Sequence, residues 1–273
     1  MSSVSQFKKI VLGYYHSQGR SFPWRKTKDP YNILVSEIML QQTQAPRVVE
    51  KYNSFLRRFP NIEKLAKAST TSVLKEWQGL GYNRRGLNLK RMAEEVVKTY
   101  KGKIPKEYET LISLPGIGPA TAGDLLAFAW NVPNVVIETN IRTVFIHHFF
   151  KDQTNISDKD ILPLIKKTLD NNNPREWYWA LMDYGAFLKK IIPNPSRRSK
   201  HYNRQSPFKG SNRELRSKIL KYLLLYQKQS LDTIAQSLET NPELIAKNLV
   251  TMEKERLVKV VTKGKKRHYS IAS

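Results

Sequence analysis

The chain has no cysteine. Without a thiol there are no disulfides, no cysteine nucleophile, no thiolate zinc site and no cysteine-ligated iron–sulfur cluster. Acidic residues are scarce as well: 23 Asp and Glu stand against 47 Lys and Arg, leaving a formal net charge of +24 and a pI near 10.1. Such an excess repels itself and does not help folding. Its usual use is a polyanionic partner, nucleic acid before all others, although ribosomal and membrane-surface proteins share the signature. Long apolar runs are also missing. The opening MSSVSQFKKIVLGYY lacks the apolar stretch and small-residue cleavage site of a secretion signal, and nothing approaches membrane-spanning length. A soluble, cytoplasmic protein with no membrane partner is the expectation. What is present is enough to fold: 273 residues, 40% hydrophobic and 10% aromatic, allow one large core or two unequal domains.

Strand-like alternation is scarce before the C-terminal region. Helix-like apolar spacing predicts helices over 5–18, 30–42, 46–58, 71–78, 86–101 and 106–112, then over 121–131, 140–150, 158–170 and 174–190. Pro23, Pro30, Pro46, Pro60, Pro105 and Pro115 punctuate the first group near plausible ends. From 191 the composition turns to Pro, Ser, Asn and Arg with little periodicity, which marks a basic irregular segment and a domain boundary. Helical spacing returns at 213–226, SLDTIAQS and 241–256 follow, and two short alternating runs around Lys263–Gly264–Lys265 read as a β-hairpin. Three helices and a basic hairpin in that order resemble a winged helix.

Three segments carry chemistry. In LPGIGPATAG, Gly116 and Gly118 can take backbone angles that other residues resist and leave room for a close neighbour. A helix starting just after them aims free N–H groups at an anion; the plain alternative is a tight turn between helices. In ILVSEIMLQQTQ, one helix places Glu37, Gln41 and Gln44 on one face, with Val35, Ile38, Met39 and Leu40 largely elsewhere. A carboxyl beside an apolar wall holds its proton more tightly and can act as an acid, and glutamines can reach base edges; a solvated polar face is the alternative. In VVIETN, Glu138 precedes Thr139 and Asn140, either of which can cap a helix beginning near Ile141. Glu37 as acid and Glu138 as anion make a split pair suited to breaking a bond at a sugar carbon, the logic of glycoside hydrolysis; helix-end electrostatics alone is the alternative for Glu138.

With FPWRKTKDPYNILVSEIMLQQTQ, WQGLGYNRRGLNL, LPGIGPATAG and LMDYGA in place, residues 1–190 resemble the helix-hairpin-helix (HhH-GPD) DNA glycosylase superfamily, most closely its MutY-type adenine glycosylases. The resemblance implies a mostly α protein: a two-subdomain helix-hairpin-helix glycosylase fold followed by a small winged-helix domain. The expected boundaries are 1–190 for the glycosylase domain, 191–212 for the basic segment and 213–273 for the winged helix. Within the first, a six-helix subdomain covers about 21–124, and a second is formed by the N-terminal helix with about 125–190. Carried over by motif, Glu37 is the acid that protonates the base, and Glu138 the carboxylate that stabilises the sugar cation. Arg25 and Asn140 support them, Gln41 and Gln42 probe the opened duplex, and Tyr82 is the wedge in the base stack. The hairpin implies DNA-backbone contacts near Leu114, Gly116, Gly118 and Thr121, with a monovalent cation as a possible ligand at 114–118. The basic segment adds Arg197, Arg198 and Lys200, and the C-terminal hairpin Lys263, Lys265, Lys266 and Arg267.

The chain departs from that pattern in three places. Glu138 stands where the family has aspartate, and one extra methylene displaces a charge on a scale that can change rates about a hundredfold. NPSRRSKHYNRQSPF occupies the place of the family's four cluster-ligating cysteines, so no iron–sulfur cluster or other cofactor is expected, and His147, His148, His201 and His268 have no metal-ligand spacing. A basic C-terminal segment replaces a Nudix-like domain. Ala120 stands where strand-cleaving relatives carry lysine, which implies a monofunctional enzyme that leaves an abasic site. The expected reaction is removal of adenine opposite guanine or 8-oxoguanine from mispaired double-stranded DNA, by a monomer working with the chromosome. A thymine or uracil mismatch glycosylase, and a DNA-binding protein whose catalytic site has decayed, are the alternatives.

Overall fold

A computed structural model describes residues 4–263 and 266–272; Gly264 and Lys265 lie outside the described residues. The chain divides into two compact units, and the division runs through helices and turns, not between sequence blocks. The first unit comprises residues 1–37, 106–113 and 117–204, and the second 38–105, 114–116 and 205–273.

The first unit holds α1 (Val4–Gln18), a short 3-10 turn (Pro23–Arg25), the start of α2 (Pro30–Leu40), α7 (Tyr108–Ser113) and α8 (Pro119–Trp130). It continues with α9 (Thr139–Phe149), α10 (Asp158–Thr168) and α11 (Pro174–Ile191). Its core forms where α1, α9 and α11 meet. Phe7 lies 5.3 Å from the ring of Phe145, 5.0 Å from Phe149 and 5.9 Å from Trp177, edge-on or tilted as ring quadrupoles prefer. α8 is apolar on every side, and Thr121 through Ala129 are all buried. One of those nine buried residues is an aspartate, Asp124.

The second unit holds α3 (Ala45–Arg58), α4 (Ile62–Lys67), α5 (Thr70–Glu76) and α6 (Arg84–Tyr100), followed by the C-terminal elements. These are α12 (Asn212–Tyr226), β1 (Gln229–Ser230), α13 (Leu231–Ser237), α14 (Pro242–Lys254), β2 (Val258–Lys263) and β3 (Lys266–Ile271). The strands form an antiparallel sheet in the order β1-β3-β2, with Val260 opposite Tyr269 and Gln229 opposite the same tyrosine on the other edge. Leu220, Leu223, Ile245, Leu249, Leu257 and Tyr269 make one buried cluster that also takes in Leu74 of α5 and Leu87 of α6. The C-terminal elements therefore share a core with α5 and α6. Two elements were not visible in the spacing, α4 and β1: the first is six residues long and the second two. Among the described residues, no helix is long and apolar enough to cross a membrane.

Two helix boundaries differ from expectation, each for a local reason. α2 was expected to run to residue 42 but stops at Leu40, and Gln42 turns to a left-handed φ of 56°. Arg85 takes over the carbonyls left open by the stop, donating from Nη1 to Ile38, Met39 and Gln41. Gln41 therefore sits in a turn, Gln44 caps α3, and the expected common face with Glu37 does not form. α9 begins at Thr139, one residue before the expected span 140–150, because Glu138 is itself the cap: its Oε1 accepts from Asn140 N at 2.8 Å and Ile141 N at 3.0 Å.

Candidate active site and DNA-facing elements

Glu37 and Arg25, and the distant Glu138 and Asn140, all belong to the first unit. Glu37 is on α2 and partly buried. Burial raises its pKa, Arg25 opposes the shift and Glu138 reinforces it, leaving a carboxyl pushed up to about 8. At neutral pH it holds its proton, as a general acid must.

Glu138 is fixed by its neighbours. Besides the two backbone N–H groups on Oε1, its Oε2 accepts from Asn140 Nδ2 at 3.3 Å. Asn140 is in turn oriented by Lys189 of α11, whose Nζ donates to its Oδ1 at 2.8 Å. Burial pushes the Lys189 ammonium down, while Glu138 pulls it back up. Lys189 was not singled out in the sequence, where AFLKK looks like any helix end.

Arg25 does not hydrogen-bond to the acid. Its two terminal nitrogens reach the two oxygens of Asp183 at 2.8 Å each, and Arg20 adds its backbone N–H and Nε at 2.7 Å. Burial works to raise the Asp183 pKa, and these donors outweigh it, leaving the carboxyl below its usual 3.8. Arg25 acts on Glu37 through charge, from a position that Asp183 sets. LMDYGA thus has a role in the site: its aspartate holds the arginine, and its glycine lets α11 approach α9. A Cβ on Gly185 collides with the carbonyl oxygen of Asn140 and meets Asn140 Cβ at 2.9 Å. A Gly185→Ala protein is expected to lose about 2–3 kcal/mol from overpacking and to shift Asn140 off Glu138 and Lys189. Thermal melts should fall by several degrees and base excision should drop with them; an unchanged melt and unchanged excision would refute the close approach.

A third carboxyl was also missed. Asp124 is buried in α8, and its Oδ1 has no hydrogen-bond partner. Burial first, then the charges of Glu37 and Glu138, raise its pKa well above the ordinary value. The available signal was an acid inside the otherwise apolar TAGDLLAFA. The charge of Glu138 thus raises both Glu37 and Asp124, and that of Glu37 raises Asp124 further. That field favours a stored proton on Glu37.

The hairpin differs from expectation in one detail. Gly116 has a left-handed φ of 82°, and a Cβ there meets Asn88 at 2.9 Å, so its need for glycine is met twice over. Gly118 caps α8 with an ordinary φ of −99°, and a Cβ on it meets nothing within 4 Å. Neither conformation nor packing within the protein explains Gly118. Leu114 and Thr121 are buried. In the basic segment, Arg197 and Lys200 are exposed, whereas Arg198 turns inward. Its guanidinium donates to the carbonyls of Ile146, Phe150, Lys151 and Gln153 at the end of α9, and Ile156 pairs with Ser199 as a parallel bridge. This loop offers no thiolate and is closed by bonds of its own, so an iron–sulfur cluster does not fit it.

In the second unit, Gln41, Gln42 and Tyr82 line one cavity. Tyr82 has a left-handed φ of 44°, and its ring lies 5.6 Å from the guanidinium of Arg85. Arg267 is exposed in β3; Lys263 and Lys266 lie in the paired strands, and Lys265 is outside the described residues.

Residues 35–169 match the model of the HhH-GPD superfamily base excision DNA repair proteins. The adenine DNA glycosylase of Buchnera aphidicola subsp. Baizongia pistaciae is 38% identical over 187 residues, which cover 67% of this chain and 52% of that protein. The thymine/uracil-DNA glycosylase of Methanothermobacter thermautotrophicus is 28% identical over 185 residues, covering 67% of this chain and 84% of the relative. Among solved structures, a thermostable thymine-DNA glycosylase superposes with a TM-score of 0.62 at 25% identity, covering 71% of this chain and 93% of that one. The chain spans about half the length of the adenine glycosylase from Buchnera. Residues 35–169, carrying Glu37, Glu138 and the hairpin between α7 and α8, thus form a domain of the HhH-GPD superfamily of base excision DNA repair proteins.

Proposed function

We propose that the protein is a monofunctional DNA N-glycosylase that removes adenine mispaired with guanine or 8-oxoguanine. The observation that carries this reading is the pair of Glu37, holding a proton at neutral pH, and Glu138, fixed by backbone N–H groups. Glu37 delivers its proton to the leaving base, and the Glu138 carboxylate stabilises the oxocarbenium-like sugar until water adds. Flipping the nucleotide out of the stack precedes both steps.

The cap geometry supports glutamate in this role. The longer side chain reaches around to two N–H groups and the Asn140 amide, so its charge is held in place despite the extra methylene. Gly118 supports a DNA-backbone contact, since open space at its Cβ and the N-terminal end of α8 suit a phosphate. The C-terminal helices and hairpin read as a winged helix that adds affinity through its basic residues. Adenine is favoured as substrate by the relative from Buchnera, an adenine DNA glycosylase 38% identical, over the thymine/uracil-DNA glycosylase at 28%.

The experiment uses the protein in excess over labelled duplexes carrying A·G, A·8-oxoguanine, T·G and U·G pairs, with and without alkali. Alkali-dependent product from the adenine strands is expected, with no borohydride-trapped adduct, since Ala120 supplies no amine. Product only from T·G or U·G makes the protein a thymine or uracil glycosylase. No product from any duplex refutes the enzyme reading.

A further inference from the structure

Asp124 is buried in the middle of α8 beside Gly123, Leu125 and Leu126, and excision by Glu37 and Glu138 leaves it without a task. It stands one turn beyond Ala120, so the two share a face of the helix. Only 6% of it is exposed, and its Oδ1 has no hydrogen-bond partner. A carboxylate buried without donors is costly. A carboxylic acid is far less so, and it carries a proton that can be passed on.

The groups packed around Asp124 limit where that proton can go. Tyr178 of α11 feels its charge, but the Tyr178 hydroxyl is committed: it donates to Asn134 O and accepts from Val136 N at 3.1 Å. Arg175, also on α11, uses its guanidinium on the carbonyls of Phe128 and Ala129 at the far end of α8. α7 packs on α8 as well, and its ionisable residues are the half-buried Tyr108 and the exposed Glu109. None of these pairs with Oδ1. The charges that act on Asp124 are those of Glu37 from α2 and Glu138 at the head of α9. Arg25 acts on the first of these, and Lys189 stands beside the second.

Glu37 and Asp124 release their protons in a fixed order. Burial and Glu138 raise Glu37 to about 8, and the charge on Glu37, once formed, raises Asp124. When Glu37 has given its proton to a base, Asp124 therefore still holds one. We propose that Asp124 is the proton reserve of Glu37, the two carboxyls sharing the proton that remains. As the sugar–base bond breaks, its electron pair leaves with the base and the Glu37 proton joins it. The Asp124 proton then passes to the Glu37 carboxylate. Water adds to the sugar cation, and the proton it releases refills Asp124, so both acids are restored. Asp124 acts through Glu37, not on the base. The inference rests on the glycosylase reading above.

Single-turnover excision against pH tests the sharing, with each protein set against its own rate at pH 6. The wild type should lose no more than about threefold by pH 9.5, because the remaining proton still visits Glu37. Asp124→Asn, isosteric and unable to share, should lose about thirtyfold, the fall of one acid titrating near 8. Parallel profiles would reduce Asp124 to a buried spacer and overturn the inference. Infrared spectra of protein with isotope-labelled carboxyls read the same proton without catalysis. A protonated-carboxyl band should remain in Glu37→Gln at pH 7 and in the wild type at pH 9.5, and should vanish in Asp124→Asn at pH 9.5. Its absence from Glu37→Gln overturns the reserve even where the Asp124 variant does not fold. The two readings fail separately. The band without excision from any duplex refutes the enzyme alone, and excision without the band refutes the reserve alone.

Discussion

Exchanging Glu37 for glutamine is expected to reduce base excision by about 10²–10⁴-fold, the contribution of a positioned general acid. The same change should stabilise the protein in alkali. Glu37 is pushed from 4.5 up to about 8, so the folded state binds its proton more tightly than the unfolded state does. The carboxyl's contribution to stability is therefore fully present below pH 4.5 and is lost as pH rises through about 8. Glutamine carries no charge to bury. At pH 5 the two proteins should melt together, and at pH 9 the variant should be the more stable by about 2–4 kcal/mol. Residual excision at the wild-type rate would remove Glu37 from the mechanism, and equal melting at pH 9 would show that its proton is not held by burial.

Replacing Asp183 by asparagine is expected to have the largest effect on stability. The Asp183 side chain is fully buried, Arg25 has only 8% of its side-chain surface exposed, and their bonds are bidentate. Asparagine cannot neutralise the guanidinium, and leaving a buried charge unpaired costs about 3–5 kcal/mol. For a chain of this size that is a drop in melting temperature of roughly 10 °C. The stabilisation is present above the ordinary carboxyl value of 3.8 and is lost as pH falls through the lowered folded value, so the deficit should shrink in strong acid. Combining Asp183→Asn with Arg25→Met should cost less than the two single changes added together. Strict additivity would mean that the pair is not the source of the loss.

Most helices were legible because apolar spacing of three and four residues survives whatever tertiary partner a helix finds. The candidate carboxyls, Glu37 and Glu138, were legible for another reason: their motifs are local, and a glutamate between apolar runs stands out. What stayed hidden was set by distant partners. The end of α2 depends on Arg85, more than forty positions away along the chain, and no signal near Leu40 announces it. The anchoring of Arg25 by Asp183 crosses 158 positions. Asp124 shows the opposite limit. It was visible as an acid in an apolar helix, yet its meaning comes from the two glutamates whose charges it feels. β1 exists only because β3 supplies its partner.

Arg85 also has a mechanical consequence. Besides the three carbonyls after Glu37, its guanidinium holds Thr43 Oγ1 at 3.0 Å and the carbonyls of Leu80 at 2.9 Å and Gly81 at 3.2 Å. Two turns that meet nowhere in sequence are thereby pinned on one rigid planar group. Neither can shift without dragging the other, so a push on Tyr82 is a push on Gln41. The two turns form a single jaw with one rivet, and the grip of the second unit works or fails as one part.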